Sequence, residues 1–430
     1  MISAIRRSTK RSMMRPILGL FALLTAFSLT TLSAFAAAPA CDSGNGGITL
    51  PSGFCALVVA DNLGAARHAV VAPNGDLFVG LQDGGIAALH DSKGNGRFDV
   101  KETFGKKSVT GIAFHDGYLY FATPLTVERY KWSAGQLKPT GAPEIVVSGF
   151  PTEHEHEDKG LTFDRSGHLY VNVGAPSNAC QSRDRRAGVP GMNPCPILEK
   201  HGGVWRFEAD KLNQTQQDGV RFATGLRQFP AITWHDGAVF LVMNNRDQLD
   251  TLWPKYFTVE DNATRPAEPM YRAVMGSNFG WPYCFYDYTQ QKVLQNPEYG
   301  GDGKTSDHCS QYTLPVASYP AHWAPVDVMF YSGDQFPKSY RGGAFIAFHG
   351  SWNRAPQPQA GYNVTFQPFA DGKPSGKFEV FADGFKGKDP LMNPSDAVAR
   401  PDGLAQAPDG SLYITDSQHG KIWRVIYRGN

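Results

Sequence analysis

Six times along the chain a turn closes on glycine and runs straight into a short strand of aliphatic and aromatic residues, and no other feature restricts the possible folds as much. The copies are Pro73-Asn74-Gly75-Asp76-Leu77-Phe78-Val79, His115-Asp116-Gly117-Tyr118-Leu119-Tyr120-Phe121, Arg165-Ser166-Gly167-His168-Leu169-Tyr170-Val171, His235-Asp236-Gly237-Ala238-Val239-Phe240-Leu241, Tyr340-Arg341-Gly342-Gly343-Ala344-Phe345-Ile346 and Pro408-Asp409-Gly410-Ser411-Leu412-Tyr413-Ile414. A strand unit recurring at roughly 40 to 70 residues, with uneven insertions, marks a β-propeller. Six copies predict an all-β, six-bladed β-propeller with four-stranded antiparallel blades. The early segment Phe54-Cys55-Ala56-Leu57-Val58-Val59 is placed to complete the last blade and close the ring, which removes the exposed edges of an open sheet. The widest gap between copies, Leu241 to Tyr340, holds the stretch Gly280-Trp281-Pro282-Tyr283-Cys284-Phe285-Tyr286, and an insertion of this length is expected on the rim of a binding face.

The 430 residues suffice for one large all-β domain, and 12% aromatic content can supply its core. No linker-like tract interrupts the strand cues, so residues 41–430 read as a single propeller domain. With 41 basic and 40 acidic side chains the formal charge is +1, which gives no field to attract nucleic acid or an anionic membrane; a small molecule is the expected partner. Arg6, Arg7, Lys10, Arg11 and Arg15 precede an apolar run from Ile17 to Leu29 and the small-residue site Ala34-Phe35-Ala36, so residues 1–36 read as a signal peptide cut after Ala36. The run is shorter than the ~20 residues of a membrane span, which disfavours an uncleaved anchor and predicts a periplasmic or secreted chain with no integral span. Six cysteines follow, an even number suited to disulfides in an exported protein. Local pairing, Cys41 with Cys55, Cys180 with Cys195 and Cys284 with Cys309, is the simplest of the possible connectivities.

The densest ionisable cluster is Glu153-His154-Glu155-His156-Glu157-Asp158, just before the strand at Leu161. Imidazoles among carboxylates can make a general base or bind a metal, or the run can be a solvated acidic loop. His156-Glu157-Asp158-Lys159-Gly160-Leu161, followed by Gly167-His168-Leu169-Tyr170-Val171-Asn172-Val173-Gly174, resembles the catalytic segment of the glucose/sorbosone dehydrogenases, the soluble PQQ-dependent sugar dehydrogenases. Further blocks match in order: Thr224-Gly225-Leu226-Arg227-Gln228-Phe229-Pro230; Asn244-Asn245-Arg246-Asp247-Gln248-Leu249 with Gly276-Ser277-Asn278-Phe279-Gly280-Trp281-Pro282; Phe348-His349-Gly350-Ser351-Trp352-Asn353-Arg354; and Arg400-Pro401-Asp402-Gly403. The resemblance covers nearly all of residues 41–430 and is closest to the sorbosone dehydrogenase branch.

That resemblance implies oxidation of an aldose or related sugar or aldehyde by hydride transfer to PQQ, with electrons passed on to an external acceptor. His156 takes the place of the family's base and Glu155 that of its acidic neighbour, while Arg227 and Gln228 polarise the quinone and substrate oxygens. PQQ carries three carboxylates, so guanidinium groups are expected around it. Arg227, Arg354 and Arg400 stand at matching positions on different predicted blades, with Asn353 where soluble glucose enzymes have lysine and Thr110 where sorbosone-type relatives often have histidine. His322 and Trp323 lie where relatives place an aromatic over the sugar, a core tryptophan being the alternative. Ca2+ is implied at the main-chain carbonyls of Asn245 and Arg246. Asp91-Ser92-Lys93-Gly94-Asn95-Gly96-Arg97-Phe98-Asp99, ending at Glu102, mimics an EF-hand loop, with Lys93 where a ligand belongs and a plain turn as the alternative reading. Two other functions suit the same architecture: a calcium-dependent lactonase, whose funnel would be ringed by Glu, Asn and Asp in place of arginines, and a carbohydrate-binding propeller without catalysis.

Overall fold

In the computed structural model, which describes residues 39–429, every one of the glycine turns joins the first two strands of a separate antiparallel sheet. The innermost strands are Ala66–Val71, Ile112–His115, Leu161–Phe163, Gln228–His235, Pro325–Phe330 and Pro401–Gln406. Each packs beside the next, and Pro401–Gln406 returns to Ala66–Val71, so the six sheets close a ring around an axis. Four blades have four strands; the second and third gain a two-residue parallel strand at their outer edges, Gln214–Thr215 and Ser277–Asn278. The signal-peptide segment lies outside the described residues. No helix among the described residues is long and apolar enough to cross a membrane.

The ring closes as the sequence predicts. Phe54–Ala60 forms the outermost strand of the sixth blade, antiparallel to Ile422–Tyr427, with Phe54 opposite Tyr427 and Leu57 opposite Arg424. Successive side chains of a strand point to opposite faces, so each blade feeds two inter-blade cores. Leu77 and Val79 pack towards the sixth blade while Phe78, between them, packs towards the second. Leu57 and Ala56 likewise divide between the cores on either side of the sixth blade, so loss of the closing strand would open both. The disulfides pair locally: Cys41–Cys55 ties the segment just before the closing strand to that strand, and Cys180–Cys195 and Cys284–Cys309 brace two long insertions.

Those insertions rise on the face where the innermost strands begin. Residues 174–202 interrupt the third blade, and residues 245–267, with the short helices Leu249–Leu252 and Val259–Thr264, interrupt the fourth. Residues 274–316 climb the flank of the third blade through Ser277–Asn278 and end in the hairpin of Cys284–Asp287 and Lys292–Gln295. Trp281 locks two insertions together: it packs with Cys180 and Cys195, and its indole N–H donates to the Asn178 carbonyl at 3.0 Å. The EF-hand-like loop is a turn. Asp91 accepts the Asn95 and Gly96 amides at 3.1 and 2.6 Å, Asp99 accepts from Ser92, and Glu102 pairs with Lys138, so these carboxylates are engaged by the protein itself.

Candidate active site

The starts of the third, fourth and fifth blades surround an open cleft of about 280 Å³ lined by Glu155, His156, Arg185, Arg227, Gln228, Asn244, Asn245, Asp247, Glu268, His322, Ser351, Trp352 and Asn353 among others. His156 sits on the loop entering the third blade at φ 59°, a left-handed conformation. Its Nδ1 lies 2.6 Å from the Ala175 carbonyl. A carbonyl can only accept, so Nδ1 carries the proton and Nε2 keeps its lone pair. Burial, reinforced by the Arg227 charge, holds the imidazole far below its usual range, at about 3, so it is neutral at pH 7. Nε2 lies 3.7 Å from Glu155 Oε1. Gly174 is required here: a Cβ would meet the His156 carbonyl at 2.3 Å and Gln228 Oε1 at 2.6 Å.

A buried carboxylate organises the cations. Asp247 Oδ2 receives Arg227 Nη2 at 2.6 Å and Arg185 Nη2 at 3.2 Å, and Oδ1 lies 3.8 Å from His322 Nδ1. The two guanidiniums overcome the cost of its burial and hold its carboxyl at about 2. Arg185 also donates to Glu155 at 2.8 Å and to Gln248 at 2.8 Å, tying the disulfide-braced insertion to the His156 loop. Arg227 Nη1 donates to the Asn245 carbonyl at 2.9 Å. Glu268 accepts the Asn245 amide at 2.9 Å, and burial pushes its carboxyl up to about 8, which leaves it protonated at neutral pH. Three buried polar atoms of the lining residues have no partner in the protein: Arg227 Nε, Gln228 Oε1 and Asn353 Oδ1. The large majority of buried polar atoms in native structures are paired with protein or water, so three unpaired ones around one open cleft leave it free to hydrogen-bond a polar ligand.

The structure brings His156, Glu155, Arg227, Gln228, Asn245, His322 and Asn353 together around this cleft. It turns the other expected residues elsewhere. Arg354 donates to the Pro358 carbonyl at 2.9 Å and to that of Ala263. Arg400 lies on the carbonyls of His349 and Gly350 at 3.1 and 2.6 Å, and Thr110 donates to Asp158 at 3.1 Å. Trp323 packs edge-on against Phe348 and Phe378 in the core between the fourth and fifth blades, the core role that was its alternative. The indole on the cleft is Trp352, 53% exposed. Arg246 lies fully buried, its guanidinium held by Glu298 and Asn296, and the Asn245 carbonyl expected to face a cation faces Arg227. Sequence reasoning overlooked Arg185, Asp247, Glu268 and Trp352. Asp247 and Trp352 lie inside matched blocks, directly beside residues that were singled out; Arg185 and Glu268 stand in no such block.

A closed six-bladed propeller with an ionisable, incompletely satisfied cleft at the axial end of its blades defines the architectural class. Residues 48–428 match the family described as TrAA12-like, and the chain belongs to that family. It is 24% identical over 392 residues to an uncharacterized protein of Borreliella burgdorferi, covering 88% of this chain and 91% of that one. It is 26% identical over 282 residues to the pyrroloquinoline quinone-dependent pyranose dehydrogenase of Coprinopsis cinerea, covering 55% of this chain and 36% of that longer protein. The holo form of that enzyme's PQQ domain superposes with a TM-score of 0.70 at 19% identity, covering 88% of this chain and 97% of the domain. A calcium structure of the Trichoderma reesei family AA12 enzyme superposes with a TM-score of 0.71 at 17% identity, covering 89% and 97%. At these identities the superpositions establish the shared fold. The motif resemblance to PQQ-dependent sugar dehydrogenases is thus met by relatives of that kind.

Proposed function

We propose that the protein is a PQQ-dependent oxidoreductase that oxidises an aldose or related sugar or aldehyde, within or near the sorbosone-type branch its motifs resemble. The observation that carries this reading is the set of unpartnered polar atoms on Arg227, Gln228 and Asn353 around a neutral, tautomer-fixed His156. Arg227 offers an N–H to the carbonyl or carboxylate oxygens of a flat ligand, and the unused amide oxygens of Gln228 and Asn353 accept from N–H or O–H groups of that ligand or of a sugar. PQQ, when bound, supplies a two-electron acceptor. The protein supplies the proton chemistry. His156 Nε2 takes the proton of a substrate hydroxyl, and the imidazolium formed is stabilised by Glu155 beside it. Arg185 holds Glu155, Asp247 holds Arg227, and Trp352 and Asn353 shape the open side for a sugar ring.

Calcium enters this reading through charge. The guanidiniums of Arg185 and Arg227 are balanced by Glu155 and Asp247, and Glu268, His156 and His322 are neutral. A tricarboxylate therefore meets no net countercharge from the cleft itself, and a divalent cation bound with it would provide one. A lactonase would need carboxylate oxygens free to hold calcium, whereas Asp247 is engaged by guanidiniums and Glu268 by the Asn245 and Ala324 amides. The three disulfides suit an oxidising compartment, and we propose export to the periplasm or beyond, with an external electron acceptor there. The test is direct: titrate the protein with PQQ and CaCl2, then supply a sugar panel and a redox dye. Saturable micromolar binding of PQQ and sugar-dependent bleaching are expected, and absence of binding removes the proposal.

A further inference from the structure

We propose that the insertions on the third and fourth blades build a second ligand site, distinct from the axial cleft, for a neutral oligosaccharide. Beside the Cys284–Cys309 disulfide opens a cavity of about 520 Å³, larger than the about 280 Å³ of the axial cleft, and the two share no lining residue. Its walls include Tyr283, Tyr299, Tyr312, Asn193, His308 and Gln311. The tyrosine rings are held in place. Tyr283 and Tyr299 meet edge to face with centroids 4.9 Å apart, the Tyr283 hydroxyl accepts the Cys195 amide at 3.0 Å, and Tyr299 donates towards the carbonyls of Ala179 and Met192 at 3.2 and 3.3 Å. Tyr312 packs on Gly280, where a Cβ would meet its ring at 2.7 Å. Rings fixed in this way lose little freedom when a ligand settles on them.

The lining also selects by charge. Glu298 is its carboxylate, and both of its oxygens are taken by the Arg246 guanidinium, with the Trp253 indole N–H donating to one of them at 2.8 Å. Burial raises the Tyr299 and Tyr312 phenols above their ordinary range, so both stay uncharged at physiological pH. An ionic ligand would find no free countercharge among these groups. A ligand with C–H faces and many hydroxyls would find aromatic rings, amides and an imidazole, the combination that sugars require. The volume suits a chain of sugar units better than one small ion. The site stands whether or not the axial cleft performs redox chemistry.

The full chain is titrated calorimetrically with cellohexaose, xylohexaose and maltohexaose. At least one is expected to bind, with affinity reduced about tenfold or more by Tyr312→Ala. The double variant Gln311→Ala/His308→Ala, which alters only exposed side chains and so spares the fold, is expected to weaken the same hexasaccharide. Gln228→Ala, in the axial cleft, is expected to leave that affinity unchanged. The proposal is overturned if none of the three sugars binds at millimolar concentration, if the double variant has no effect, or if Gln228→Ala weakens binding as much as the cavity variants do.

Discussion

Two groups of arginine, aspartate and histidine lie at the same end of the innermost strands, and they have opposite fates. Arg227, Asp247, His156 and His322 line the axial cleft. Arg67, Asp402, His349 and Arg400, contributed by the first, fifth and sixth blades, do not. Arg67 grips Asp402 at 2.7 Å, His349 Nε2 lies 2.6 Å from the Ser417 hydroxyl, and Arg400 lies on two main-chain carbonyls and over the Tyr362 ring. This second wall keeps two unpartnered atoms, Arg67 Nε and Asp402 Oδ1, but neither residue borders the cleft. Residue type therefore does not mark a site. What distinguishes the first wall is hydrogen-bonding capacity left over beside open space.

The sharpest way to break this comparison is kinetic. His156→Ala is expected to lower sugar oxidation by about 10²–10⁴-fold with the circular dichroism unchanged, whereas an equal loss in His349→Ala would place the base on the wrong wall. Next in size is a stability contrast measured by denaturant titration. Arg227→Ala leaves the Asp247 carboxylate buried with less compensation and is expected to cost about 3–5 kcal/mol. Arg400→Ala frees only carbonyl acceptors and a ring face and is expected to cost about 1–3 kcal/mol. If Arg400→Ala instead abolishes PQQ binding while leaving stability intact, the closed wall is the cofactor's and the assignment reverses. A smaller effect sharpens the role of the unused amide: Gln228→Leu is expected to change stability by less than about 1 kcal/mol, because its oxygen has no protein partner to lose, yet to weaken PQQ binding measurably.

The pH response offers a further contrast, between two buried groups of the same cleft. His156 is depressed to about 3 in the folded protein, so the folded state resists a proton that the unfolded chain accepts near 6.5. Its stabilising contribution is complete above about 6.5 and is lost as pH falls towards 3. Glu268 runs the other way: raised to about 8, it stabilises fully below its unfolded value and loses that contribution as pH rises through 8. Thermal midpoints measured from pH 4 to 9 should therefore decline at both ends, and His156→Gln should flatten the acid side alone.

The architecture was legible because it is written in short-range patterns. Glycine turns, alternating strands such as Leu77-Phe78-Val79 and a spare strand at Phe54 each carry their own signal, and blade count and ring closure follow from them. The strands Gln214–Thr215 and Ser277–Asn278 were not legible, since two residues hold no periodicity. Within the cleft, His156, Arg227 and Gln228 were found through ordered motif blocks. Arg185 was missed because its partners, Glu155 and Asp247, lie 30 and 62 residues away. Trp323 and Trp352 illustrate the same limit: one indole fills a core and the other meets the cleft, and the residues beside each along the chain do not say which.

By itself, then, the amino-acid sequence determined the sheets, their alternation and their number, because each depends on residues close along the chain, whereas the choice among the possible cysteine pairings came from the structure. The tertiary structure alone decided which guanidinium faces the axis. Arg354 and Arg400 are taken up by carbonyls 91 and 51 residues away, and Arg227 by a carboxylate 20 residues on. Where a long, charged side chain ends is set by whichever acceptor folding carries within its reach, and that acceptor leaves no trace in the residues beside it.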